Sequence, residues 1–233
     1  MRQIMLISTV CLAYLFLLTV NKTKANSQIL IPSGEFNMGT EKGAQAEQPL
    51  HPVWVDAFFM DRFEVSNKDY EKLNPNFQRS QASPCDDCPV TRVNWEEAKT
   101  YCQRLEKRLP TEAEWEKSRR GPNEIDTGYD KKRSRYGLSF TAGTVPVQSS
   151  IGNGYGLHHM EGNVWEWTND WFDTKYYQNS PKKNPRGPSE GSRKSVRGGS
   201  WYNDIWYLQA GMRFRLAPDV KLNSLGFRCA KNS

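Results

Sequence analysis

Between Val164 and Thr168 large apolar side chains alternate with small or polar ones, the two-residue period of a strand that buries one face. Trp165 and Trp167 share that face and Trp171 keeps the same parity, which places three indoles on one short element. Rings of this size bury roughly 150–250 Å² each, so the stretch predicts the anchor of the core. Glu166 and Asp170 fall on the opposite face, beside the turn signal Gly162-Asn163. A carboxylate next to turn carbonyls suits a hard cation such as calcium; accepting backbone N–H bonds is its more ordinary use.

Elsewhere the pattern is short and interrupted. Ile29 to Met38 reads as two short strands folded at Pro32-Ser33-Gly34, and Val53 to Val65 as further strand carrying Trp54, Phe58, Phe59 and Phe63. Ser66-Asn67 offers an N-cap for a short helix through Tyr70 and Leu73. Val93 to Arg108 predicts the clearest helix: Asn94 and Glu97 have capping-box spacing, and Trp95, Ala98, Cys102 and Leu105 recur on one side. Thr111 and Glu114 repeat the capping box for a second helix that ends near Gly121, with Trp115 as its buried anchor. Asn123 to Ser150 reads as a charged surface excursion closed by a strand from Thr144 to Val147, and Tyr176 to Ser195 as a polar loop. Val196-Arg197-Gly198-Gly199-Ser200-Trp201 marks a close backbone approach, and Met212 to Leu216 and Gly226 to Ala230 read as terminal strands.

Composition sharpens this picture. Eight Trp, ten Tyr and ten Phe in 233 residues concentrate the apolar content in a few large rings, which suits a loop-rich α+β fold of low regular secondary structure better than a helix bundle. Residues 1–25 differ from the rest: Arg2 precedes an apolar run from Ile4 to Val20, no acidic residue occurs, and Thr23-Lys24-Ala25 resembles a cleavage site. The expected division is a signal peptide over 1–25, or an anchor if it stays uncleaved, followed by one domain over 26–233. The protein is therefore expected to be exported, periplasmic or extracellular, and to meet a membrane only if the leader is retained. Removing Arg2, Lys22 and Lys24 lowers the formal charge from +6 to +3, too little to argue for a nucleic-acid partner. The basic runs Lys131-Lys132-Arg133 and Lys182-Lys183 read as solvated loops.

Four cysteines remain beyond the leader: Cys85, Cys88, Cys102 and Cys229. An exported chain with an even number implies disulfides, and three pairings are open. Cys85-Asp86-Asp87-Cys88 holds two aspartates that disfavour a thiolate, so a local disulfide is favoured there over redox chemistry or soft-metal capture. His158 and His159 are adjacent, which suits an exposed turn better than a metal pair. There is no glycine-rich phosphate loop and no His-x-x-x-His, so nucleotide and zincin-like chemistry lack support.

Read together, several segments resemble the formylglycine-generating enzyme (sulfatase-modifying factor) family, a variant of the C-type lectin fold. They are Ile31 to Gly39, Glu64-Val65-Ser66-Asn67, Pro89-Val90 with Val93-Asn94-Trp95, Lys107 to Glu116, Gly162-Asn163-Val164-Trp165-Glu166-Trp167, Arg197 to Trp201 and Gly226 to Ala230, in family order. The resemblance implies an oxygen-dependent oxidase that converts a client cysteine to formylglycine with copper(I) held by two cysteines. The corresponding positions here are Asn203 and Leu208, which offer no thiolate, so copper is not expected. The resemblance also implies a calcium site at Gly162, Val164 and Glu166, with His159 where an oxygen ligand would stand, and a disulfide between Cys102 and Cys229. The family's second scaffold disulfide has no counterpart, and the Cys85, Cys88 pair is expected to take its place.

These readings lead to a non-catalytic binding or accessory module for a protein or peptide client, with Trp201, Asn203 and Trp206 as substrate-binding residues in a groove also walled by Tyr202 and Tyr207. The alternative is an oxidoreductase or other enzyme using Asn203, Asp204, Arg213 and Arg215 in the same cleft, or formylglycine generation through Cys85 and Cys88.

Overall fold

The computed structural model of the chain describes residues 28–123 and 132–233. The leader at 1–25, Lys131 and part of the 123–150 excursion lie outside the described residues. Nine short strands and three helices are present among the described residues, joined by long irregular segments. Strands β1 (Gln28–Ile31) and β2 (Gly34–Met38) follow one another as the pattern predicts, but they do not pair together. β2 pairs with β3 (His51–Val55), while β1 pairs with β4 (Phe58–Asp61), so the Pro32-Ser33 corner sends the chain from one sheet to another.

Helix α1 (Asn67–Leu73) is capped by Ser66, whose hydroxyl accepts from Asp69 N. Helix α2 (Trp95–Arg104) begins with the Asn94, Glu97 capping box and is shorter than its apolar period suggested. It stops because Glu106 takes a left-handed turn at φ 56° and Arg108 bridges to Ala230, which leaves Leu105 exposed rather than in the core. Helix α3 (Glu112–Arg120) carries the second capping box, Thr111 with Glu114, and buries Trp115. The segment Thr144 to Val147 is not a strand. Thr144 N and Val147 N donate instead to the carbonyls of Ala82 and Asp87, tying it to the Cys85 loop.

The indole-rich stretch becomes β5 (Trp165–Trp171) at the centre of a four-stranded sheet. It is antiparallel to β6 (Lys194–Arg197) and parallel to β8 (Leu225–Gly226), and β7 (Phe214–Leu216) flanks β6. The predicted strand Gly226 to Ala230 is split: after Gly226 the chain bends away, and β9 (Ala230–Asn232) joins β4 in the three-stranded sheet β1-β4-β9. Two apolar cores result. One gathers Trp165, Trp167, Tyr101, Phe227 and Leu225; the other gathers Trp115, Ile31, Phe58, Met60 and Leu157.

Cys102 and Cys229 are bonded inside the first core, and Cys85 is bonded to Cys88. The first bridge closes a span of 127 residues and is therefore worth roughly 4–5 kcal/mol on the chain-entropy description. The double variant C102A/C229A is expected to lose stability of about this size in urea unfolding, against under about 2 kcal/mol for a surface change of equal volume.

Candidate functional site

Trp165 and Trp167 sit in the first core, as their shared parity requires, but the β5–β6 register shifts between Trp167 and Trp171. Trp171 is consequently only half-buried. It stacks with Trp95 at 6.4 Å between centroids, and Lys194 Nζ lies 3.8 and 3.7 Å from the Trp95 and Trp171 rings. This is a structural clamp at one end of the two inner strands.

Glu166 points the other way, into a fully buried polar contact. Arg228 donates from Nε and Nη2 to its two carboxylate oxygens, both at 2.7 Å, and Trp115 Nε1 donates at 2.9 Å. Gly162 and Asn163 turn beneath it with φ of 81° and 59°; a Cβ on Gly162 would meet the Arg135 carbonyl oxygen at 2.0 Å. Asn163 Nδ2 and Val164 N donate to Glu64, whose carboxyl is lifted well above its usual range by burial and then by the charge of Glu166. Gly162, Val164 and Glu166 do not fit a hard dication in this arrangement, because the Glu166 charge is already met by a guanidinium. Among the described residues no group of three or more His, Cys, Asp or Glu side chains is placed to hold a metal.

His159 departs from the exposed turn expected of it. It is buried at φ 50°, with Nε2 facing Pro146 O and Ser149 Oγ and no partner for Nδ1. Burial pushes its imidazole down to about 3.

Helix α3 buries carboxylates that its sequence would place in water. Arg213 donates from Nε and Nη2 to Glu112, each at 2.8 Å, and Arg197 bridges Glu112 and Glu116 at 3.2 and 2.7 Å. Burial alone would raise the Glu112 carboxyl, but Arg213 and Arg197 outweigh it and hold it below its usual value. Asp170 is driven well up by burial and by Glu112, while its Oδ2 accepts Glu112 N at 2.9 Å. Arg213 is thus locked under the Tyr177 ring, 3.9 Å from its centroid, and does not line a cleft.

The loop after Gly199 holds the expected binding residues, in three different settings. Trp201 is fully buried and its indole N–H donates to Phe140 O, so it is a core residue. Asn203 closes a turn, Oδ1 accepting from Ser200 N and Oγ at 3.0 and 2.6 Å. Trp206, in the turn Ile205–Leu208, is 71% exposed, whereas Leu208 faces inward. The 137–142 segment adjoins this loop through Gly137 N to Asn203 O and Leu138 N to Trp201 O, and Phe140 packs 5.2 Å from Tyr202. Leu138, Phe140, Ile205, Trp206 and Tyr207 therefore leave large apolar side chains in solvent on two joined loops. The sequence reading missed Leu138 and Phe140, although two apolar residues inside a charged excursion were a visible signal.

Residues 17–233 match the family described as the sulfatase-modifying factor enzyme 1-like domain. The chain belongs to this family. Formylglycine-generating enzyme of Mus musculus is 31% identical over 274 residues, covering 86% of this chain and 73% of its own. The protein named serine/threonine-protein kinase pkn1 of Chlamydia pneumoniae is 34% identical over 233 residues, covering 88% of this chain, which spans only 38% of that relative's length. The solved structure of Treponema denticola variable protein 1 superposes with a TM-score of 0.78 at 24% identity, covering 88% of this chain and 95% of its own, which establishes the shared fold. The Gly-Asn-x-Trp-Glu strand, the helix capped by Thr111 and the Gly-Phe-Arg-Cys terminus meet in space where Glu166, Trp115 and Arg228 join them.

Two variants probe this interior. R213M removes one partner of a buried pair and is expected to cost about 3–5 kcal/mol by chemical denaturation, because Glu112 loses its main counter-charge. His159 is held neutral in the folded state and protonates near 6.5 when unfolded, so the unfolded chain binds the extra proton and stability falls as pH drops from 6.5 towards 3. H159N tolerates the positive φ and lacks this proton. Its stability is expected to fall by about 3 kcal/mol less than that of the parent between pH 6.5 and pH 4.

Proposed function

We propose that the chain is an exported, non-catalytic member of the sulfatase-modifying factor family that binds a protein or peptide client. The observation that carries the reading is the surface around residue 206, where exposed aromatic side chains stand in the loop that would carry the family's copper ligands. Asn203 spends its side chain on a turn and Leu208 is buried, so neither offers sulfur. Cys85, Cys88, Cys102 and Cys229 are all in disulfides, which leaves no thiol among the described residues. Aromatic anchors ringed by polar residues are the usual energetic centre of a protein interface. Export is supported by the leader-like residues 1–25 and by the two disulfides, which persist in oxidising compartments. Among the described residues no helix is long and apolar enough to cross a membrane.

The test uses a synthetic peptide bearing the Cys-x-Pro-x-Arg sequence of sulfatases. Binding is expected without any change in peptide mass, and W206A is expected to weaken it at least about tenfold, ~1.4 kcal/mol. A product lighter by the thiol-to-aldehyde difference would overturn the non-catalytic reading. Binding indifferent to W206A would remove the surface from it.

A further inference from the structure

A second concavity lies away from the Trp206 surface, where β3, the start of α3 and the 184–186 segment meet. Its volume of about 480 Å³ is within the roughly 300–1,000 Å³ of small-ligand sites, and its lining is mostly polar. The polar groups fall into two sets. The first is braced: Arg108 donates from Nη1 and Nη2 to Glu114 at 2.6 and 2.7 Å, and Asn184 both donates to the Asp56 carboxylate and accepts Asp56 N. The second is unspent. Asn169 is half-buried with its main chain bonded to Pro110 and Lys194, yet its side-chain amide has no hydrogen-bond partner among the described residues. Arg186 is exposed, and its guanidinium makes no ion pair or hydrogen bond among the described residues. The Asn232 carboxamide accepts from Arg108 Nε and keeps its N–H groups.

From this cavity we infer a saccharide-binding site. Planar amides, carboxylates and guanidinium groups present paired donors and acceptors at the spacing of vicinal hydroxyls. Sugar oxygens accept from Asn169, Asn232 and Arg186, and sugar hydroxyls donate to the remaining lone pairs of Asp56 and Glu114. Arg108 is spent on Glu114 and Lys183 on Asp56, which leaves Arg186 alone to meet an anion and disfavours a compact dianion such as phosphate. The absence of a broad apolar wall disfavours a lipid. Outside the lining itself, the Trp54 indole, 40% exposed, is tied by its N–H to the lining residue Asp56 at 2.9 Å and leaves a flat face beside it for a sugar ring. The site shares no residue with the client surface and does not depend on it.

The experiment titrates the purified protein with a panel of cello-, laminari-, chito- and galacturonate oligosaccharides, read by calorimetry and by side-chain amide resonances. At least one class is expected to bind in the millimolar range or tighter and to shift the Asn169 and Asn232 amides. N169A and R186A remove side chains that make no hydrogen bond or ion pair among the described residues, so they are expected to unfold in urea as the parent does, and each is expected to weaken binding at least tenfold, while W206A leaves it unchanged. No binding by any class, or binding that survives both N169A and R186A, overturns the inference. Binding abolished by W206A would place it on the client surface and overturn it equally.

Discussion

The guanidinium of Arg228 reaches through the protein to the carboxylate of Glu166, with no water-facing atoms to spare on either side. Such a contact is costly to build, since both charges leave water, and costly to break, since either alone is left in a low-dielectric interior. Its value is positional. Arg228 comes from the last bend of the chain, Glu166 from the central strand and Trp115 from α3, so one point of charge fixes three elements that otherwise share little regular backbone pairing. Its remaining donors hold the carbonyls of Asp61, Arg62 and His158, and thereby the turns around the second core.

The Arg197, Arg213, Glu112 and Glu116 cluster repeats this logic one layer away. With few long strands and helices, the fold relies on guanidinium forks where other folds rely on sheet ladders. Each fork satisfies several acceptors in fixed geometry, which suits irregular segments whose carbonyls have no regular partners.

Much of this was legible in advance. The period-two indoles located β5, the capping boxes located α2 and α3, and the motifs identified the family. What stayed hidden depends on distant partners. Glu-Ala-Glu-Trp-Glu-Lys-Ser-Arg-Arg reads as a surface helix, and only Arg197 and Arg213, some eighty to a hundred residues on, make its burial tolerable. Glu166 looked available to a cation because nothing local shows that Arg228 claims it. Trp201 looked like a groove wall because an aromatic after two glycines does not reveal which side of the loop is wet. Asn169 reads as an ordinary strand residue until it is seen to line a cavity.

Two very short strands, Leu225–Gly226 and Ala230–Asn232, each join a different sheet, and Arg228 lies between them. A chain emerging from its N-terminus holds every other element before these arrive, yet it has an unanswered carboxylate at its centre until they do. The segment from Leu225 to Asn232 thus supplies the counter-charge of Glu166 and a strand to each of two sheets, much as a keystone closes an arch.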